Sequence, residues 1–259
     1  MGLRSLRVPQ TIETCATRLT RDRYTLDYAY LRAPDAQPLD EPGQDFLHVV
    51  EDGVRIVFAL CDGVSQSFFG DVGARILGDA LVEWLWEPAG IETWLEPRLR
   101  DLRCAAAEHV GTIALPAGLS PLVEGVLEGK RAQGTESMFV AGSIDLDGDA
   151  LTLAWMGDSR LRLWDADGRE STVVTSNGQV DSTQRWSSRR GPVGQPRIVT
   201  TTLEDIGRLV AYSDGLAELD HGPIAFASTD QLDTAVTRCG LASGDDACIL
   251  IVDLLHDGV

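Results

Sequence analysis

VRIVFALCDGVSQSFFGDVGARILGDALVEWL, residues 54–85, contains the change of period on which the fold turns. Val54 to Leu60 is short, apolar and rich in β-branched residues, which reads as a buried strand. The run breaks at Cys61-Asp62-Gly63, and the Gly, Ser and Asp content of CDGVSQSFFGD reads as a loop. From Asp71 a helical period takes over, with Val72, Ile76, Leu77, Ala80, Leu81, Trp84 and Leu85 on one face. The segment is therefore a buried strand with an aspartate at its end, followed by an amphipathic helix.

Working outward, FLHVV forms another apolar stretch just after Asp45. A second helix is expected over Leu99 to Val110, and Ser120-Pro121 followed by Glu124 is a capped start for a short third one. The second half changes character. SMFVAGSI and ALTLAWMG are joined by DLDGD, whose Asp147-Gly148 pair signals a hairpin. LRLWD continues as a strand turned by Asp167-Gly168, an irregular polar stretch runs from Thr175 to Pro196, and strands return at Arg208 to Tyr212 and Ala247 to Leu254. Residues up to about Asp40 form an N-terminal extension with strands, ending in the acidic APDAQPLDEPGQD. There is no internal repeat. Strands bracket a helical middle, so the expectation is one α+β domain over 1–259, with helices packed outside antiparallel sheets.

The chain has 259 residues, a formal net charge of −18 and a pI near 4.5. A surface so negative repels nucleic-acid backbones and anionic membranes, so neither is an expected partner. Most of the acidity reads as solvation. The five cysteines (Cys15, Cys61, Cys104, Cys239, Cys248) form no C-x-x-C pair and suggest no disulfide framework; Cys61 and Cys248 lie in apolar runs and read as buried. The N-terminus lacks a continuous apolar h-region, no later run is long enough to span a membrane, and Leu6 stands where a myristoylation pattern beginning at Gly2 wants Ser or Thr. A reduced, cytoplasmic protein is the expectation.

A few carboxylates do not fit a solvated surface. Asp62 follows the strand ending at Cys61, Asp214 follows GRLVAYS, Asp245 and Asp246 precede ACILIVDL, and Asp45 precedes FLHVV. A single strand-end aspartate is usually a turn former. Several on different strands converge if those strands pair, and converging carboxylates repel unless protonated or bridged by cations. Oxygen ligands without His or Cys point to Mg or Mn rather than zinc. The four histidines (His48, His109, His221, His256) share no motif with these aspartates and read as surface or packing residues.

With the words around them, these aspartates resemble the metal-dependent protein phosphatases of the PPM (type 2C) family, from about Gly43 to Leu254. GQD (43–45), ALCDGVSQSFFGDVGA, AWMGDSRLRLW, VAYSDGLAE and GDDACILIVDL are similar to that family's five motifs, in its order. The resemblance implies a four-layer αββα sandwich, two antiparallel β-sheets flanked by helices, with two divalent cations, Mn2+ or Mg2+, at one end. It implies catalytic roles for Asp45, Asp62 and Asp214. Asp45 and Asp62 would serve the two-metal centre, Asp62 bridging both ions and the Gly63 carbonyl holding the first. Asp214 and Asp245 would ligate the second ion, with Asp246 as fallback for Asp245, and Asp158 would contribute to a third, looser position. Arg160 is expected to be structural, pairing within its hairpin. The implied reaction is hydrolysis of phosphoserine and phosphothreonine in proteins, opposing a serine/threonine kinase, by a water shared between ions roughly 3.5–4 Å apart.

The chain departs from the family pattern in three places. Val64 stands where many members carry a His, Asp40 where eukaryotic members often place a phosphate-binding Arg, and Ser65-Gln66 replaces a Gly-Gly. Arg32 lies near the second of these without an assigned role. Ser176 to Gly194, with Arg185, Trp186, Arg189 and Arg190, occupies the place of a variable flap; its positive charge either attracts a phosphopeptide or belongs to a solvated loop. Trp86 and Trp94 mark either an interface or helix packing. Two rival readings follow: a pseudophosphatase that binds a phosphoprotein or regulator without turnover, and a phosphatase of small metabolites.

Overall fold

A computed structural model describes residues 2–87, 90–175 and 180–255. Thirteen strands among them form two antiparallel sheets. The first sheet runs in the order β1 (Arg4–Arg7), β4 (Asp45–Glu51), β5 (Arg55–Gly63), β6 (Glu136–Asp145), β7 (Ala150–Met156) and β11 (Arg197–Thr201). The small hairpin of β9 (Arg185–Ser187) and β10 (Gly191–Val193) is attached to the start of β6. The second sheet runs β2 (Thr14–Thr20), β3 (Tyr24–Leu31), β13 (Ala247–Leu254), β12 (Arg208–Tyr212) and β8 (Arg160–Trp164).

Alternation along the strands decides the layers. On β5, Ile56, Phe58 and Leu60 face the second sheet and join Leu163, Leu209, Leu250 and Val252 in one core. Val57, Ala59 and Cys61 point the other way, onto α1 (Gly70–Trp86) and α2 (Ile91–Thr112). The outer face of the second sheet packs Val210, Ile249 and Ile251 against α5 (Thr229–Ser243) through Leu232, Val236 and Cys239. Central strands buried on both faces read as continuous apolar runs, as β5 and β13 do. Each fully buried Phe or Leu side chain contributes about 1.5–3 kcal/mol. The result is the expected αββα sandwich.

The helix at 70–86 stands where the period placed it. The second begins earlier than Leu99, at Ile91, and runs through Pro97; apolar burial of Ile91, Leu95 and Leu99 outweighs the backbone hydrogen bond the proline removes. The third, α3 (Pro121–Gln133), is capped by Ser120 through the Val123 N–H and buries none of its residues, and a single turn, α4 (Thr172–Thr175), follows β8. Helix α5 went unread in the sequence, although Ser228 caps it through the Gln231 N–H and Gly244 ends it at φ 75°. Trp84 and Trp94 meet edge to face at 6.4 Å, and with Trp86 they pack on the α1–α2 core, so helix packing accounts for them. Cys61 and Cys248 are buried, and all five cysteines are free. The segment 176–179 of the expected flap, and His256, lie outside the described residues.

Candidate metal centre

Sheet register brings the strand-end aspartates together. Asp45, first residue of β4, pairs directly with Asp62 near the end of β5. Asp158 lies in the turn from β7 to β8, just after Gly157 at φ 106°. Asp214 follows β12, and Asp245 and Asp246 precede β13, its ladder neighbour. One oxygen each of Asp62, Asp158 and Asp214 lies within 4.8 Å of the others. Asp158, expected at a looser third position, thus lies within ligand reach of both Asp62 and Asp214.

Close backbone contacts hold these rims in place. A Cβ on Gly63 would stand 2.3 Å from the Gly70 carbonyl oxygen, so only glycine lets the end of β5 lie against the start of α1. The loop enters α1 through Phe69, at φ 47°. A Cβ on Gly215 would come 1.9 Å from the Asp246 carbonyl oxygen, so the turn after Asp214 is pressed onto the backbone before β13.

The electrostatics are those of a cluster with too much negative charge. Burial, then repulsion from Asp62 and Asp246, pushes the Asp45 carboxyl well above its usual range, against a hydrogen bond from Ser213. Burial and the charges of Asp214, Asp158 and Asp245 do the same to Asp62. Asp214 rises to about 6 through burial and its neighbours Asp245 and Asp158, with Arg160 opposing. Asp158 is also raised, mainly by burial. Asp45 Oδ2 and Asp158 Oδ1 are buried without a hydrogen-bond partner. Orphaned carboxylate oxygens in mutual repulsion suit a divalent cation, and an all-oxygen donor set without His or Cys fits Mg2+ or Mn2+.

Asp246 is used differently. Its carboxylate accepts from the Ala33 N–H at 2.7 Å and the Gln44 N–H at 2.6 Å, tying both sheets' loops together. Asp245 is exposed, and its charge is felt at Asp62 and Asp214. Arg160 donates to the Asp158 carbonyl and pairs with Asp220 at 3.3 Å, a structural role that extends beyond its own hairpin. Arg32 is buried and held by Glu13 at 2.8 Å. In the expected flap, Trp186 is fully buried and donates to the Leu99 carbonyl at 2.8 Å, while Arg185 and Arg190 both pair with Glu136. Much of that segment's positive charge is therefore spent internally. Beside the cluster, Val64, Ser67, Gly134, Met138, Ser182 and Arg185 border a pocket of about 320 Å³.

The sequence reading missed three supports. Ser213 is fully buried, bonds Asp45 and accepts from the Cys248 N–H at 2.9 Å. Ser137 Oγ donates to the Asp62 carbonyl at 2.9 Å. The amide oxygen of Gln44, next to Asp45, is buried without a partner. Ser213 stood inside the YSDG word; nothing local marked Ser137.

The family described as protein phosphatase 2C matches residues 38–243 of the chain. Among solved structures the chain is similar to the serine/threonine phosphatase Stp1 from Staphylococcus aureus, with 13% identity, 95% of this chain and 98% of that chain covered, and a TM-score of 0.61. RsbX, solved in complex with magnesium, gives 14% identity, 93% and 100% coverage, and a TM-score of 0.60. The serine-threonine phosphatase 2C from Toxoplasma gondii gives 13% identity, 96% and 100% coverage, and a TM-score of 0.54. At these identities the likeness is one of fold. No curated protein matches the chain significantly.

Proposed function

The chain belongs to the protein phosphatase 2C family, and from that premise we propose that it hydrolyses phosphoserine and phosphothreonine in proteins with two divalent cations, Mg2+ or Mn2+. The observation that carries this reading is the convergence of Asp45, Asp62, Asp158, Asp214 and Asp245 at one end of the sandwich, with buried carboxylate oxygens that no protein donor satisfies. Asp62, the Gly63 carbonyl and Asp45 would serve one ion. Asp62, Asp214 and Asp245 would serve the other, with Asp158 close enough to join them.

When bound, the cations supply Lewis acidity and a water acidic enough to attack phosphorus at neutral pH. The protein's own residues do the rest. Asp62 and Asp214 hold negative charge where it is costly, so the site is poised to take up cations and, through them, an anionic phosphoryl group that an acidic protein would otherwise repel. Ser137 and Ser213 fix the strand ends that carry Asp62 and Asp45. Val64 has no proton to give, so protonation of the departing serine or threonine oxygen falls to another group or to solvent. With Arg32 occupied by Glu13, phosphate affinity rests on the cations. The pocket at Val64 and Met138 is open to substrate residues beside the phosphoserine. We place this activity in the cytoplasm, in a single domain, opposing a serine/threonine kinase. Among the described residues no helix is long and apolar enough to cross a membrane.

The test is hydrolysis of an aryl phosphate and a phosphothreonine peptide with Mn2+, with Mg2+ and with chelator. Metal-dependent turnover that vanishes in Asp62→Asn and Asp214→Asn supports the reading. Metal binding without turnover on any phosphoester favours a pseudophosphatase, and a protein that binds no divalent cation refutes the centre altogether.

A further inference from the structure

A short way along β6 from the aspartate cluster, the wall of the site turns from acidic to basic. Met138 stands directly opposite Asp62 on the β5–β6 ladder, and a Cβ on Gly157, next to Asp158, would come 2.5 Å from the Met138 side chain. Glu136 lies two residues back at the start of β6, about 7 Å along an extended strand. Side chains alternate across a strand, so Glu136 and Met138 share the face that Asp62 uses, while Phe139 turns onto the helices.

The β9–β10 hairpin supplies the positive charge. Ser187 pairs with Glu136 and Trp186 with Ser137, and the Trp186 indole is buried on the helix side. Alternation then places Arg185 on the face of Glu136, where its Nε donates to Glu136 Oε2 at 2.6 Å. Arg190, in the turn, reaches the other oxygen, Glu136 Oε1, at 2.5 Å. Between them Arg189 is exposed, with its stem packed so close to Gly134 that a Cβ there would lie 2.8 Å from Arg189 Cγ. Among the described residues no side-chain hydrogen bond or ion pair claims its guanidinium. Lys130 of α3 donates to the Ser65 carbonyl at 3.3 Å, just past Val64.

Against these four positive side chains stand two carboxylates. Glu136 is shared by two arginines, and Asp181 is bonded to Thr183 and Gln184; Glu128 nearby is taken by Arg131. In a chain of formal net charge −18, a positive surplus is thus gathered around the pocket that Gly134, Glu136, Met138 and Arg185 border beside the aspartates.

Resting on the phosphatase reading, we propose that this patch sets the substrate class: protein segments that carry an aspartate or glutamate about two positions from the phosphorylated serine or threonine. An extended peptide advances about 3.3–3.6 Å per residue, so two residues span the distance from Met138 to Glu136. With the phosphorylated residue beside Asp62, an acidic side chain two positions away meets Arg185, Arg189 and Arg190, whereas a lysine there meets like charge. The patch selects which chain binds, so its effect falls on KM.

The experiment uses the full chain with Mn2+ and phosphothreonine peptides that differ only in Glu, Ala or Lys two positions before or after the phosphothreonine. Labelled versions are followed by fluorescence anisotropy, which reads binding whether or not they turn over. The expected result is a kcat/KM about tenfold higher for Glu than for Lys on at least one side, carried by KM and shrinking at about 0.5 M salt. Arg189→Glu and Arg190→Glu, both at exposed positions, should lower that ratio. Glu136→Gln, which removes the opposing charge but keeps an acceptor, should raise it. A merely structural role would not move the ratio in opposite directions. The proposal is overturned if Glu and Lys peptides are bound and cleaved alike, if Lys is preferred, or if the ratio survives both arginine reversals. Absence of all phosphoester turnover with metal overturns the phosphatase reading instead, and the anisotropy ratio then decides this one.

Discussion

Asp45 and Asp62 stand directly opposite each other across the β4–β5 ladder, both with carboxyls pushed upward by burial and by repulsion from neighbouring aspartates. A pair so placed destabilises the metal-free fold and creates the demand for a cation. Asp62→Asn is therefore expected to act in opposite directions. Without metal it should raise Tm, because one repelling charge is gone. With Mg2+ or Mn2+ it should forfeit the stabilisation that binding confers on the wild type, about 2.7 kcal/mol at a hundredfold excess over Kd. Thermal melts of both proteins with and without metal check the crossover; a metal-free variant less stable than the wild type would falsify the repulsion argument.

The adjacent Asp245 and Asp246 should separate cleanly. Asp246→Ala strands the part-buried N–H groups of Ala33 and Gln44 and should cost about 1–3 kcal/mol in urea unfolding. Asp245→Asn, at an exposed position, should leave stability near wild type while weakening metal binding measured by titration calorimetry. The reverse pattern would make Asp246 the ligand.

Trp186 anchors the β9–β10 hairpin. Trp186→Ala removes a fully buried indole and its bond to the Leu99 carbonyl, and should cost about 3–5 kcal/mol. Trp186→Phe keeps most of the packing and should cost about 1–3 kcal/mol. Hydrogen exchange across 185–193 should quicken in both, more in the alanine variant. Unchanged exchange would mean the hairpin is held by Glu136 and its arginines alone.

Glu51 gives a pH-dependent stability whose sign can be worked out. Burial raises its carboxyl, but bonds from Arg21 and the Tyr24 hydroxyl prevail and the net shift is downward from 4.5. A carboxyl depressed in the folded state contributes stability above its unfolded pKa and loses it as pH falls through the folded one. Glu51→Gln should thus destabilise by about 1–3 kcal/mol near pH 7, with the difference from wild type closing below the ordinary Glu range. Equilibrium unfolding at pH 7 and pH 3 tests this; a gap that stays constant would rule out the ionised pair as its source.

Much of this was open to inspection in the chain itself, for local reasons. A buried strand is a run of consecutive apolar residues and a helix is a recurrence every three to four, so residues 54–63 and 70–86 announce themselves. Helix α5 has the same signal at Leu232, Val236 and Cys239, with caps at Ser228 and Gly244; it was overlooked rather than absent. The start of α2 was obscured by Pro97, because packing of Ile91 and Leu95 overrode a local breaker.

By itself, the sequence determined which aspartates close buried strands and that their oxygens would suit hard cations, because residue type and position along a strand are local properties. Only the tertiary structure decided what each one faces. It set Asp45 against Asp62, drew Asp158 to Asp62 and Asp214, turned Asp246 onto two backbone amides and occupied Arg32 with Glu13. Those encounters depend on strand register and on how layers pack, which are sums over distant residues that no short stretch of chain contains.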